Sequence, residues 1–335
     1  MTYKSDNKKK STKEKVMDIL SNNTEKHISG EEISEILGIS RASVWKHINS
    51  LKKEGFDIES RTGTGYILKG KTGDNLTPYE IKKNLNTEFI AQNVEYFTTI
   101  DSTNTYAGKI AEKSPEGTVI IADEQTAGKG RTGRNWVSKE KEGIYFSVIL
   151  KPEIPVVKAS FLTQVAGAAL VSALNKLGVD AKIKWPNDII LGNKKIAGIL
   201  TEMSAEIDRI FYIIVGIGIN LYNTEFDDEI ASKATSILKE GYKLDREDIL
   251  KNFFDEFEKM YLDFISGKTE DIIKILVGKS VVVGKEVYIV NGSNKEKVTA
   301  VDIDGDGNLV VESEGGEKKT VFTGEISIRG LDSYI

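Results

Sequence analysis

The stretch Ala127 to Trp136, AGKGRTGRNW, brings three glycines, the cations Lys129, Arg131 and Arg134, and an aromatic ring into ten residues. Glycines let backbone approach a ligand closely, the cations favour an anion, and Trp136 offers a planar face. Residues able to do other chemistry are scarce. The chain has no Cys, and its two His, His27 and His47, fall within the first fifty residues. That inventory excludes a Ser-His-Asp or Cys-His triad, a zinc site of thiolates and imidazoles, and a histidine base beyond residue 47. Chemistry in the body of the chain is left to Lys, Arg, carboxylates, amides and backbone N–H groups, and no metal-ligand set stands out.

Gly128-Lys129-Gly130-Arg131-Thr132-Gly133 formally satisfies the dinucleotide pattern GxGxxG. That pattern works only between a strand and a helix, with an acidic residue about twenty positions on. Here a strand precedes it, but Trp136, the charged turn Lys139 to Glu142 and another strand follow, so the Rossmann reading fails. No HRD or DFG follows to support a kinase. A solvated surface loop remains the plain alternative. The functional reading is a loop that is mobile when empty and orders around a phosphate when filled, the bound anion offsetting the entropy of closure.

The elements that must position this loop fall into three parts. At 335 residues, with 39% hydrophobic and 29% charged residues, the chain has room for two or three globular domains. Its net charge of −5 is uneven: residues 1–72 hold 14 Lys+Arg against 10 Asp+Glu, leaving −9 for the rest. A basic end on an acidic body points to an anionic partner for that end alone. The longest apolar run, Ile210 to Leu221, is too short to span a bilayer, and the Lys-rich start lacks the apolar core of a signal peptide. A cytoplasmic protein without a membrane partner is expected.

Within residues 1–72, Val16, Met17, Ile19 and Leu20 have helical spacing. Ile28, Ile33, Ile36 and Leu37 follow, then Gly38, and Ser40 can cap a second helix with Val44, Ile48 and Leu51 on one face. The strands Phe56 to Glu59 and Gly65 to Leu68, joined by the turn Arg61 to Thr64, would form a wing. This is the pattern of a winged helix-turn-helix, with Ser40, Arg41, Ser43, Trp45, Lys46 and His47 as candidate DNA contacts. The competing reading is a protein-binding module with solvated lysines, and Trp45 suits either a core or a contact position. After a polar linker, Lys69 to Asn75, the Thr77-Pro78-Tyr79-Glu80 box should start a helix and a new domain.

In residues 76–275, Thr118 to Ala122, Gly143 to Leu150, Ala181 to Leu191, Lys195 to Met203 and Ile210 to Leu221 read as strands. Lys158 to Leu177 reads as a buried helix, and Asp245 caps another that runs to about Phe264. Short turns between strands favour a mixed α+β sheet with helices on one face. Residues 278–335 read as a small SH3-like β-barrel of five strands: Val281 to Val283, Glu286 to Val290, Lys297 to Ile303, Leu309 to Glu312 and Lys319 to Phe322. Asp302, Asp304, Asp306 and Gly307 imitate the start of a calcium loop. A hairpin turn is the simpler reading, because no helices flank them.

Five ordered motifs carry a resemblance. Asp101-Ser102-Thr103-Asn104, Gln125 to Arg131, Lys184-Trp185-Pro186-Asn187-Asp188, Lys195 to Leu200 and Gly216-Ile217-Gly218-Ile219-Asn220 are similar in order and spacing to the biotin protein ligase family. With the first and last domains included, the chain resembles its bifunctional form, which also represses biotin genes. The resemblance implies a class II aminoacyl-tRNA-synthetase-like catalytic domain that uses ATP, Mg²⁺ and biotin. It forms biotinyl-5'-AMP as intermediate and corepressor. The implied partners are a lysine of a biotin carboxyl carrier protein and operator DNA, bound as a homodimer.

Carried over residue by residue, Ser102, Thr103, Asn104, Gln125, Gly128, Lys129, Gly130, Arg131, Lys195, Gly198, Gly216 and Gly218 would border biotin. Arg131, Arg134, Trp136, Lys184, Asn187 and Asn220 would border the nucleotide. Arg131, Lys184, Lys195 and Asp188 would be catalytic. Lys184 and Lys195 would neutralise phosphate and carboxylate charge, and Asn187 and Asp188 would hold Mg²⁺ or orient the acceptor lysine. Asp188 could equally just end a strand. Lys129 stands where the family usually has Arg, which keeps the charge but loses the bidentate fork. Thr132 also gives up a charge found in some relatives. A regulator that only senses a small molecule and a lipoate-type ligase are the alternative functions.

Overall fold

A computed structural model describes residues 11–71, 76–83, 85–291, 294–323 and 327–330. The chain divides into two compact units, Met1–Lys83 and Asn84–Ile335.

The first unit contains helices α1 (Thr12–Ser21), α2 (Gly30–Leu37) and α3 (Arg41–Lys53), the hairpin β1 (Phe56–Arg61) and β2 (Gly65–Lys71), and α4 (Pro78–Lys82). Val16, Leu20, Ile33, Val44, Ile48 and Leu51 are buried together, as their spacing requires. Ser40 caps α3 by accepting from the Ser43 N–H at 3.2 Å, and Gly38 ends α2 in the left-handed conformation at φ 64°. Ile36, expected inside, is 59% exposed. The Thr77 box starts α4 as expected, but that helix belongs to the first unit rather than a new domain. Tyr79 is buried in the first core, edge-on to Phe56, and its hydroxyl donates to Asp18 at 3.0 Å. The expected linker begins inside β2, and residues 72–75 lie outside the described residues.

The second unit is built on a seven-stranded sheet of β3 (Val94–Ile100), β4 (Val119–Gln125), β5 (Gly143–Leu150), β6 (Lys182–Lys184), β7 (Asp188–Leu191), β8 (Lys194–Ala205) and β9 (Ile210–Asn220). Its order is β3-β4-β5-β9-β8-β7-β6, with only β3 and β4 parallel. Every residue of β5 is buried, because both faces are covered. On one face lie α6 (Leu162–Lys176) and α8 (Arg246–Ile265), where Phe146 meets Phe253 and Phe254. On the other, Ala107 of α5 (Thr103–Ile110) and Ala111 at its C-terminal cap pack against Ile120, Ile149 and Ile214. The expectation of helices on one face is thus corrected by α5, which was not legible as a helix. The expected single strand Ala181 to Leu191 is split into β6 and β7 by the Trp185-Pro186-Asn187 turn, since Pro supplies no ladder donor. Val156–Lys176 is long and apolar enough to cross a membrane by length and composition, and most of it is buried inside the unit.

After α7 (Asp228–Ala231), α8 and α9 (Glu270–Gly278) comes a five-stranded antiparallel sheet. Its strands are β10 (Glu286–Asn291), β11 (Asn294–Ile303), β12 (Leu309–Glu312), β13 (Lys318–Val321) and β14 (Ser327–Arg329). Val281 to Val283 is a turn rather than the first strand, and β14 was not foreseen. Of the calcium-like residues, Asp302 lies in β11, and Asp304, Asp306 and Gly307 form the β11–β12 turn. Asp304 Oδ1 accepts from the N–H groups of Asp306 and Asn308 at 3.0 and 2.8 Å, a side-chain-capped turn. The turn also docks: Trp185 Nε1 donates to Gly307 O at 3.0 Å, fixing the small sheet to the motif that carries Lys184 and Asp188.

Candidate active site

One pocket gathers Ser102, Thr103, Asn104, Gln125, Lys129, Gly130, Arg131, Trp136, Asn187, Lys195, Gly198, Gly216 and Gly218 from sequence positions more than a hundred residues apart. Five expected residues lie behind or beside it. Gly128 is held at a tight turn, where an added Cβ would stand 2.4 Å from Trp136 O. Arg134 is exposed. Lys184 and Asp188 belong to the strand pair beneath the pocket. Asn220 is buried and donates to Thr235 O at 3.1 Å, so its amide ties down the chain after β9.

The floor is a chain of polar groups. Thr103 donates its N–H to Gln125 Oε1 at 2.8 Å, and its hydroxyl lies 3.1 Å from the same oxygen. Gln125 Nε2 donates to Ser138 at 2.9 Å. Ser147 Oγ, fully buried, stands 2.8 Å from Thr103 Oγ1 and 2.6 Å from Asn104 Oδ1. Ser147 was missed in the sequence, although a serine inside the apolar run Gly143 to Leu150 was the available signal. Ser102 Oγ accepts from the Thr105 N–H at 3.4 Å, capping α5, so it serves the helix as well as the pocket.

Gly198, Gly216 and Gly218 line the pocket and also make way for protein side chains. An added Cβ on Gly216 would stand 2.0 Å from Asn104 Oδ1, and one on Gly218 would stand 2.4 Å from the Trp136 ring. Gly198 pairs with Gly218 across β8 and β9 and is also against that ring. They therefore make room for Asn104 and Trp136, which in turn shape the pocket. Gly216→Ala is expected to displace Asn104, abolish ligand-induced stabilisation and lower the melting temperature. Thermal shift measurements with and without ligand check this.

The loop is folded as a small hairpin over the pocket. Gly130 N–H donates to Arg134 O at 2.7 Å and Trp136 N–H to Gly128 O at 2.9 Å, with Thr132 at φ 54° and Gly133 at φ 72° at the tip. Arg131 Nη1 donates to Asn187 Oδ1 at 2.9 Å, and burial pushes its guanidinium below the usual value despite the carboxylate of Asp188. Lys195 pairs with Asp188 at 2.5 Å and lies 5.2 Å from the Trp136 ring centre. Burial, partly opposed by Asp188 and reinforced by Lys195, Arg329 and Lys233, pushes the Lys184 ammonium down to about 8. Several cations thus surround one carboxylate, an arrangement that favours a polyanion. Trp136 Nε1 is buried and makes no hydrogen bond among the described residues.

In the first unit, Arg41, Trp45 and Lys46 are exposed on α3, and Ser43 and His47 are half-buried. Trp45, at 62% exposure, is a surface residue and not part of the core. Ser40 has its hydroxyl engaged by the cap.

A winged helix-turn-helix, a mixed-sheet domain with a cation-lined pocket and a small β domain define a DNA-binding member of the biotin and lipoate ligase class. Residues 12–67 match the HTH domain model, 96–220 the biotin/lipoate A/B protein ligase family and 282–329 the biotin protein ligase C-terminal domain. The chain is 40% identical over 308 residues to the bifunctional ligase/repressor BirA of Bacillus spizizenii, covering 90% of this chain and 94% of that protein. It is 30% identical to BirA of Escherichia coli, covering 91% and 94% respectively. A biotin protein ligase from Aquifex aeolicus, solved in complex with biotin and ATP, superposes with a TM-score of 0.62 at 30% identity, covering 71% of this chain and 98% of that one. The chain belongs to the bifunctional biotin ligase and repressor family.

Proposed function

We propose that this protein joins biotin to AMP, transfers biotin to a lysine of a biotin carboxyl carrier protein, and represses biotin genes when the adenylate fills its site. The observation that carries the reading is the polar chain Gln125–Thr103–Ser147–Asn104 lying under a loop whose Arg131 reaches Asn187, in the turn that joins the Lys184–Asp188 strand pair. In the first half-reaction the biotin carboxylate attacks the α-phosphorus of ATP in line and pyrophosphate leaves. The nucleophile is already ionised at neutral pH, so positioning and positive charge supply the catalysis without a base. Thr103 and Gln125 hold the ureido group, and Arg131, Lys184 and Lys195 neutralise the phosphates and the carboxylate. Trp136 borders the adenine.

In the second half-reaction the carrier lysine amine attacks the acyl carbon and AMP leaves, with Asp188 and Asn187 orienting the amine. The loop keeps water from the mixed anhydride until then. No group of three or more His, Cys, Asp or Glu that could cage a metal is found among the described residues. Asp188 and Asn187 are the residues that would hold Mg²⁺, which would neutralise phosphate charge. Purified protein should release pyrophosphate only when biotin and ATP are both present and, given a carrier protein, should label it and release AMP. Absence of both products overturns the reading, and a melting temperature raised by lipoate but not biotin would move it to a lipoate ligase.

Adenylate-dependent dimerisation, with two winged units on paired half-sites, completes the repressor role in the cytoplasm. Sedimentation and gel shift with and without biotin and ATP test it, and ligand-independent binding by a monomer overturns it. Lys46→Ala and Arg41→Ala should each weaken operator binding and, where the side chain contacts phosphate, lower the salt slope by about one. Fluorescence anisotropy across a salt series measures this.

A further inference from the structure

Glu202 touches both halves of the site, the pocket floor and the loop. It lies two residues beyond Leu200 and four beyond Gly198 on β8, so the alternation of a strand puts it on the pocket face with them. Its Oε2 accepts from Asn104 Nδ2 at 2.7 Å, and its Oε1 lies 3.5 Å from Lys129 Nζ in the loop. Asn104 is only 5% exposed, and the other hydrogen-bond contact of its Nδ2 is a long one, 3.4 Å, to Leu200 O. The carboxylate is therefore the strong acceptor for a buried amide. A carboxylate only accepts, so it dictates which end of the Asn104 amide faces it. Oδ1 is thereby turned to Ser147 at 2.6 Å, and Ser147 continues the hydroxyl chain to Thr103.

The contact to Lys129 is of a different kind. Both side chains are partly exposed, at 45% and 39%, and an ion pair so placed is weak and screened by salt. It is nevertheless a side-chain tie from the first half of the loop to the sheet, where Arg131 provides the tie from the tip. A lysine suits it, since a compact point charge needs one oxygen and leaves the other for Asn104.

We infer that Glu202 is a positioning residue that couples the pocket floor to the loop, one oxygen fixing the Asn104 amide and the other anchoring Lys129. The inference rests on the reading of this pocket as the biotin site.

The test uses the full-length protein with Glu202→Gln, Glu202→Ala, Lys129→Ala and the Glu202→Gln/Lys129→Ala pair. Biotin Kd and the dissociation rate of biotinyl adenylate are measured at low and high salt. Glu202→Gln keeps an oxygen for Asn104 but loses the ion pair, so biotin affinity should fall only slightly. Adenylate release should quicken several-fold and depend less on salt than in the wild-type protein. Glu202→Ala also strands the buried amide, so biotin affinity should drop about ten-fold or more. Adding Lys129→Ala to Glu202→Gln should not quicken release further. Equal biotin affinity in the Gln and Ala variants, or additive effects of the pair on release, overturns the coupling. If the wild-type protein binds biotin and all variants match it, only the role of Glu202 falls. If the wild-type protein binds no biotin, the functional reading itself falls.

Discussion

Arg131→Gly is expected to release biotinyl adenylate about 10²–10³ times faster than the wild-type protein, while the rate of biotin association changes little. Two losses combine. The guanidinium joins the loop tip to Asn187 at 2.9 Å, so its removal frees the hairpin from the strand pair that carries Lys184 and Asp188. The substitution also places a glycine beside Thr132 and Gly133, both already at positive φ, which raises the entropy lost when the loop closes. The released mixed anhydride then reacts with bystander amines in solution. Arg131→Lys should fall between the two proteins, because an ammonium cannot bond Asn187 and a phosphate oxygen with one planar fork. Stopped-flow measurement of adenylate dissociation decides the matter, and an unchanged rate removes Arg131 from the retaining role.

Lys184→Gln is expected to lower the rate of adenylate formation by about 10²–10³-fold with biotin affinity preserved, since it removes charge placed for the phosphates. The wild-type protein should carry a further signature. With the ammonium pushed down to about 8 by burial, its charged form is lost as pH rises through that value. Adenylation by the free enzyme should therefore decline above about pH 8, and Lys184→Gln should lack that limb.

Stability should move the other way. The folded protein binds this proton less tightly than the unfolded chain, whose lysine keeps its ordinary value of 10.5. The unfavourable contribution is full below about 8 and disappears as pH rises to 10.5. Lys184→Met should accordingly be the more stable protein below pH 8 while being nearly inactive, a trade between function and stability. Denaturant midpoints and single-turnover rates measured across pH 6.5–9.5 in wild-type, Gln and Met proteins check both signs. A pH-independent wild-type rate excludes Lys184 as the titrating group.

Much of the molecule was legible before any fold was drawn. Helix α3 and strands β5 and β12 fall at the expected residues, because their caps, apolar spacing and flanking turns all agree. Elements whose signal is weaker were missed. The helix α5 begins Thr103-Asn104-Thr105, poor helix formers that are held by the Ser102 cap and by packing on Ile120, Ile149 and Ile214. The strand β3 pairs only with β4, at the sheet edge, and its parallel partner is contiguous with it in space but not in sequence. The split between β6 and β7 needed the weight of one proline inside an otherwise continuous apolar run.

By itself the sequence determined which chemistries are open. Its lack of Cys, the confinement of both His to the first unit and its ordered Gly, Lys, Arg and Asn motifs admit phosphate-directed electrostatics and exclude thiol and histidine catalysis. Composition acts through what is absent as well as present, so no fold can restore a missing side chain. Only the tertiary structure decided what each residue touches. It spends Gly216 and Gly218 on Asn104 and Trp136, binds Asn220 to Thr235, docks the acidic C-terminal turn on Trp185, and brings Ser147 and Glu202 into the site. These contacts join positions up to 122 residues apart across neighbouring strands and packed helices. They depend on register and close packing, which local spacing does not encode.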